Sequence, residues 1–434
     1  MQLAAQPPLP NFPKPDFLQP SSDQEMQAPP DPLQWIAAAV ESAKEDKDAV
    51  IQKLEAVALQ GKSKLQSVFA AKGLAELGTN VPPEVLNSLK DAASGSDLVV
   101  AGIACKGLSL LGDPGLDVLR DLVAREDCPA RAVALEAIVD QHGLDQETAR
   151  SLLQDSNPMI RAVVVDAVAD LDAIDPRTSD QLRILLRTET DGSVRLRVAN
   201  ALGTTTRDPA LASMVLGSQS QIPGAIQRSF VRGLANNADE AFAANALGES
   251  LGTNESGVAE ASADALISLG NVGIPALTTA LENPSSRLWA IVALGEVGSP
   301  AAAAAEPLAD LLADAPPELQ SEILMTLGKI QSNSSGAADA IVAQLQSAVP
   351  SVRYAALFAV LKLNIATPTA RETINGFVNS DDAALRLLSR VIIAKQNPGD
   401  PSKGLQVLQE VQHTLADPDS DVRSLAMALQ SVLK

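Results

Sequence analysis

Along most of the chain, apolar residues return three, six or seven, and ten positions after a site usually held by arginine. At about 100° per residue, that spacing lays them on one face of a helix. The segments VRLRVANALG (Val194–Gly203), IRAVVVDAV (Ile160–Val168), SVRYAALFAV (Ser351–Val360) and SRLWAIVALG (Ser286–Gly295) all follow this template. The position seven after the arginine site gives a ladder of Leu74, Leu108, Ile138, Val168, Leu202, Leu234, Leu266, Leu294, Leu327, Val360, Val391 and Leu429. Its rungs lie 28 to 38 residues apart, so one unit recurs twelve times.

Each unit reads as two helices. A turn with capping chemistry leads in, as in DSNP at Asp155–Pro158, ENPSS at Glu282–Ser286 and DPDSD at Asp417–Asp421. Asp, Ser and Asn accept the free N–H groups of a helix start, and Pro fits its first turn. Gly78, Gly112, Gly203, Gly270 and Gly295 are expected to end first helices. A shorter Leu-rich helix follows, as in LDVLRDLV (Leu116–Val123), IPALTTAL (Ile274–Leu281) and AAEPLADLLA (Ala304–Ala313). One such pair cannot bury its own apolar face, so neighbours must stack into a continuous core. Length alone, 434 residues, suggests two or three ordinary domains. The repeat predicts instead an all-α array over 61–434, with capping helices over 33–60 and a proline-rich arm over 1–32.

The pairs Ile160–Arg161, Val194–Arg195 and Val352–Arg353, with the Ala/Leu core after them, resemble HEAT repeats. The nearest likeness is to the short variant named after phycobilisome lyases, and it spans residues 60 to 434. Ala101, Gln227, Ala259 and Gln320 depart from it, standing where arginine would be. The resemblance implies a right-handed α-solenoid of about twelve HEAT-like helix pairs, on the order of 120 Å long at ~10 Å per layer. It also implies that the arginine-bearing helices line the inner surface. Some proteins of this kind are phycobilin lyases or isomerases, which act on a tetrapyrrole and its carrier protein.

Composition narrows the partners. Hydrophobic residues make up 46% of the chain and aromatics 2%, so Ala and Leu must supply the core. That suits helix packed on helix. A net charge of −20 provides no basic footprint for nucleic acid or an anionic membrane. No stretch approaches eighteen apolar residues, which excludes membrane insertion by a helix. Nine of the 28 prolines fall in residues 1–32 and make that arm extended. Phe12 and Phe17 lie among them, and the arm reads either as a solvated tail or as a docking segment. The arm lacks signal-peptide character as written, which places the chain in the cytoplasm unless a leader once preceded Met1.

Little in the sequence suggests catalysis. The GKS of Gly61–Ser63 lacks the earlier glycine of a phosphate loop, since Ala56 holds that place. The two histidines, His142 and His413, are far apart in the array, which argues against a His-based metal or triad site. Cys105 reads as a small core residue and Cys128 as a turn residue, with a disulfide between them left open. Asn254 and Asn333 match the glycosylation sequon. A lyase should cradle a large conjugated ligand with polar and aromatic groups, yet the chain has one Tyr and two Trp. No cofactor is expected.

The position five after the arginine site faces away from the buried stripe. It reads Lys72, Lys106, Glu136, Asp166, Asn200, Arg232 and Asp264, then Val292, Met325, Phe358, Ser389 and Met427. Leu288 and Tyr354 fall one turn earlier on the same face, with Ser321 between them and Trp289 beside the row. Exposed, this row (Leu288, Trp289, Val292, Met325, Tyr354, Phe358) is a partner site of the expected composition. Under a tight superhelical curl or a slipped register it is simply buried. Between Arg232 and Arg353 there are 14 acidic residues against Arg287 and Lys329, whereas residues 150–216 hold eight Arg against nine acids. The acidic stretch reads as a solvated face or as a rim that steers a basic or mixed partner. Together these features predict a non-enzymatic scaffold for a protein or peptide partner. The bilin lyase and a structural subunit of a larger assembly are the alternatives.

Overall fold

A computed structural model describes residues 32–42, 47–78, 81–171, 174–332, 334–417 and 419–432. All of the proline-rich arm but Pro32 lies outside the described residues, as does Asn333. The chain forms two compact units, Met1–Gln141 and His142–Lys434, and the described residues contain helices and turns but no strand. The first unit holds α1 (Pro32–Ser42), α2 (Lys47–Gln60), α3 (Lys64–Glu76), α4 (Pro83–Ala93), α5 (Leu98–Ser109), α6 (Asp113–Ala124) and α7 (Arg131–His142). The second begins with α8 (Gln146–Leu152), α9 (Pro158–Ala169), α10 (Pro176–Thr188), α11 (Gly192–Thr205), α12 (Pro209–Leu216), α13 (Gly224–Ala235), α14 (Glu240–Ser250), α15 (Ser256–Ser268) and α16 (Gly273–Ala280). It continues with α17 (Arg287–Val297), α18 (Ala305–Leu312), α19 (Pro317–Ile330), α20 (Ser335–Gln344), α21 (Pro350–Leu363), α22 (Pro368–Phe377), α23 (Ala383–Gln396), α24 (Pro401–Thr414) and α25 (Ser420–Val432).

From α3 onward the odd-numbered helices are the first helices of the predicted pairs and the even-numbered ones the second. In the second unit, first helices pack on first helices from α9 through α25, and second helices pack on second helices, as α12 on α14 and α14 on α16. The first unit repeats the scheme with α3 on α5 and α2 on α4. This two-layered stacking is an α-solenoid.

The arginine site has a specific structural role. The last carbonyls of a helix lack intrahelical partners and need a donor. Arg131 Nε donates to Val123 O at 2.8 Å, Arg195 Nε to Leu186 O at 2.8 Å and Arg287 Nε to Leu281 O at 2.8 Å. In two units the acceptor lies instead in the turn just beyond the helix: Arg161 Nη1 reaches Asp155 O and Arg353 Nη1 reaches Ser347 O, each at 2.7 Å. The glutamines read from sequence as departures fill the same role. Gln227 Nε2 donates to Val215 O at 2.7 Å and Gln320 Nε2 to Leu312 O at 3.1 Å. Where this site reaches back to a carbonyl, an N–H donor suffices and a positive charge is not needed. Ala101 and Ala259 supply no such donor and are fully buried.

The residue three after this site is completely buried in every first helix, from Ala70 through Phe230 to Ala426. The ladder seven after it is buried at Leu74, Leu108, Val168 and onward to Val391, with Ile138 half-buried and the Leu429 side chain outside the described residues. Register slips in the last two units. The arginines that close the lead-in turns are Arg386, bonded to Ser380 O, and Arg423, bonded to Asp417 O. They lie two and one residues beyond the sites that the ladder count implies at Ala384 and Val422. Ser389 therefore falls three after its arginine, on the core stripe, and is fully buried instead of facing solvent. Its hydroxyl is satisfied by Arg386 O at 2.9 Å.

The glycines divide into two kinds. Gly78, Gly112 and Gly270 follow the ends of first helices with φ of 66°, 67° and 55°, the left-handed turn that glycine favours. Gly203 and Gly295 do not end helices. Both lie inside α11 and α17, where the neighbouring first helix presses close. A Cβ on Gly203 would meet Phe230 O at 2.3 Å, and one on Gly233 would meet Asn200 O at 2.1 Å. Backbone contact between α11 and α13 thus depends on two missing side chains. Asn237 completes the seam by donating Nδ2–H to Gly203 O and Thr206 O, both at 2.8 Å.

Gly233→Ala is expected to destabilise the protein by about 1–3 kcal/mol, because the new methyl must push two backbones apart. Gly192→Ala opens into empty space at the start of α11. It is expected to be neutral or to stabilise by up to ~1 kcal/mol. Denaturant titration of both variants checks the contrast. Equal losses would show that the α11–α13 contact is not backbone-limited.

Candidate protein-binding surface

The row predicted from the column lies on α17, α19 and α21, three first helices packed side by side. On α17, Leu288 and Val292 are 52% and 39% exposed, and Trp289 is half-buried beside them. Met325 on α19 and Tyr354 and Phe358 on α21 are half-buried. Each helix places the residue five after its donor (Arg287, Gln320, Arg353) on this face, so the row follows from a shared register. Earlier in the column, Lys106, Glu136, Asp166, Arg232 and Asp264 are exposed, and Lys72 and Asn200 are half-buried. The slip in α23 brings Val391 to the same position, where it is buried. Among the described residues the column is therefore interrupted at α23, and Met427, in the last helix, is 55% exposed.

Two contacts hold the aromatic members in place. The Phe358 ring lies over Gly328 of α19, where an added Cβ would come within 3.4 Å of Phe358 Cδ1. Lys362 Nζ stands 5.4 Å from the ring centroid, a cation–π contact. Tyr354 donates its hydroxyl to Asp382 Oδ2 at 2.6 Å, while Asp382 Oδ1 accepts from Ala384 N and Leu385 N at the start of α23. The Tyr354–Asp382 bond was not foreseen from the sequence, since Tyr354 and the helix cap are 28 residues apart. Around the row, Glu260, Asp264 and Glu322 are exposed, and Glu296 pairs with Lys329 at 2.7 Å.

Other candidate chemistry is scattered. His142 ends α7, and His413 lies near the end of α24. Cys105 and Cys128 are free thiols, so the disulfide left open by the sequence is not formed. Burial, helped by the neighbouring Cys128, pushes the Cys105 thiol up to about 12. It stays protonated and unreactive at neutral pH. Among the described residues no three His, Cys, Asp or Glu side chains are grouped to hold a metal, and no helix is long and apolar enough to cross a membrane.

Residues 274–360 match the family model of the HEAT repeats. The matched stretch contains the whole row from Leu288 to Phe358. Solved structures with a similar backbone include the karyopherin Kap121p bound to the SUMO protease Ulp1p, at 12% identity and a TM-score of 0.55 over 94% of this chain and 53% of that one. Kap121p bound to Nup53p matches with the same values. Kap121p bound to RanGTP matches at 12% identity and a TM-score of 0.55 over 93% and 52% of the two chains. The chain spans about half the length of these karyopherins, and at such identity the likeness establishes the α-solenoid fold. No curated protein matches this chain in sequence.

Burial and the bond to Asp382 push the Tyr354 phenol from its ordinary 10 up to about 12. The fold favours the protonated phenol, so this contribution to stability is complete below the usual tyrosine range and is lost as pH rises through about 12. Tyr354 is the chain's single tyrosine, so tyrosinate absorbance reports it directly. Its midpoint is expected near the raised value. Asp382→Asn, which keeps the cap, is expected to lower it.

Proposed function

We propose that this chain is a non-enzymatic, cytoplasmic scaffold that binds a protein or peptide through the face formed by Leu288, Trp289, Val292, Met325, Tyr354 and Phe358. The observation that carries the reading is the exposure of Leu288 and Val292 in a row otherwise built of half-buried Met and aromatic side chains. Such residues anchor protein interfaces, and a row of them facing water is unusual outside one. The solenoid supports the reading because stacked repeats present long continuous surfaces. The fold neighbours support it too, since Kap121p is seen bound to Ulp1p and to Nup53p. Two buried free thiols suit a reducing compartment.

Leu288→Asp and Val292→Asp test the site without touching the core. Each is expected to change folding stability by no more than ~0.5 kcal/mol, as surface substitutions do. Each is also expected to abolish capture of partners by the immobilised chain. Variants that fold normally and retain every captured protein would remove the site from α17–α21. A visible absorbance change on mixing the chain with a bilin would overturn the non-enzymatic reading in favour of the tetrapyrrole enzyme.

A further inference from the structure

Residues 150–216 carry eight arginines, and five are ion-paired: Arg150 with Asp175, Arg161 with Glu189, Arg183 with Asp208, Arg197 with Asp166 and Arg207 with Asp239. Among the described residues, Arg177, Arg187 and Arg195 have no acidic partner. Two of these three, Arg187 and Arg195, line one cleft of about 600 Å³ formed by the end of α10, the start of α11, α12 and the turn at 217–222. Serines, glutamines, Met214 and Ile222 complete its lining, and no acidic residue contributes. That is a notable absence in a chain with 53 acidic residues.

The preceding repeat provides an internal control. Arg161 stands there as Arg195 stands here, and a cleft opens beside it too. In that cleft Glu189, 28 residues on, accepts from Arg161 Nε at 2.7 Å and from Nη2 at 2.8 Å. This bidentate pair holds the Glu189 carboxyl below its ordinary range. The residue at the same offset from Arg195 is Pro223, which cannot neutralise anything. Eight residues before Arg161 stands Leu153, whereas eight before Arg195 stands Arg187. One repeat therefore closes its repeat-site guanidinium with an internal carboxylate in a cleft where Asp155 and Asp180 also stand beside Arg177, and the next leaves two guanidiniums facing a cleft without a carboxylate. Arg195 is held against the wall by its Nε bond to Leu186 O, which leaves its two Nη groups free to donate to a ligand. The cleft at Arg353 carries a single guanidinium, tied to Ser347 O.

We infer that the Arg187–Arg195 cleft binds a phosphoryl group carried on a side chain of a peptide partner. Two guanidiniums match a dianion better than a single carboxylate, and a phosphoserine brings a charge of roughly −1.5 to −2 with three strong acceptor oxygens. Arginine forks suit that oxygen geometry. Met214, 42% exposed, and Ile222 at the edge of the cleft provide apolar contact for a residue next to the phosphoryl group.

Calorimetric titration of the full chain with the peptide acetyl-Ala-pSer-Leu-Ala-amide tests this, beside the same peptide carrying Glu or unmodified Ser, and beside inorganic phosphate. The phosphopeptide is expected to bind at least about tenfold more tightly than the Glu peptide, the difference a second charge and oxygen set supply. Arg187 is exposed and bonded to nothing among the described residues, so Arg187→Gln and Arg187→Glu should fold. They are expected to weaken the phosphopeptide by about tenfold and more than tenfold, respectively. Arg177→Glu, which alters the other unpaired arginine outside the cleft, should leave binding unchanged. An equal loss in Arg177→Glu would reduce the effect to general charge attraction and overturn the proposal. So would a Glu peptide that binds as tightly as the phosphopeptide, inorganic phosphate that binds as tightly as the peptide, or no binding at all.

Discussion

The fold depends on satisfying carbonyls at the place where one helix pair hands over to the next. A second helix ends with backbone oxygens that its own turns cannot bond, and the following first helix must start within a few residues. In most units the chain solves both needs with one side chain, set within the first turn of the first helix and long enough to reach back. Arg131, Arg195 and Arg287 do this at the helix end, Arg161 and Arg353 do it at the turn just beyond, and Gln227 and Gln320 do it without charge. Anchored in this way, the first helix has its rotation set. The residue three positions later then always faces the core, and the residue five later faces away from the core stripe as far as α21.

Small side chains allow this unit to be stacked. Gly203 against Gly233, Gly328 beneath Phe358 and the buried alanines of the core stripe bring neighbouring helices nearly to backbone contact. Large rings are consequently rare in the interior, where Phe230 is the bulkiest fully buried side chain among the described residues. Several of the remaining aromatics are left for the surface. Trp289, Tyr354 and Phe358 gather where the outward positions turn apolar, and the electrostatic character of the outward face changes over the same repeats. Arginines nearly balanced by carboxylates mark residues 150–216, whereas acids far outnumber bases between Arg232 and Arg353. A repeat scaffold can vary its surface in this way without altering its core, because core and surface positions are separate residues of the same helix.

Most of the candidate row was legible in advance. Leu288, Val292, Met325 and Phe358 are placed by counting from the arginine site, and the count is right there because Arg287, Gln320 and Arg353 keep one register relative to the buried stripe although their lead-in turns differ. It goes wrong at Ser389, because turn length before α23 is set by the turn's own packing and not by helical period. Tyr354 was placed on the right face, but its bond to Asp382 was not visible, since nothing local to either residue marks the other.

The sequence by itself determined the recurring helix pair and the buried stripe, because a 3.6-residue period and capping side chains act within one or two turns of chain. It also located the scarcity of aromatics and the asymmetry of charge. Only the tertiary structure decided which glycines cap and which pack, why glutamine can replace arginine, and which arginine has a carboxylate across the cleft. Each of those depends on a residue about thirty positions away in the neighbouring repeat or on the backbone of a neighbouring helix. Helical periodicity carries no record of contacts made at that distance.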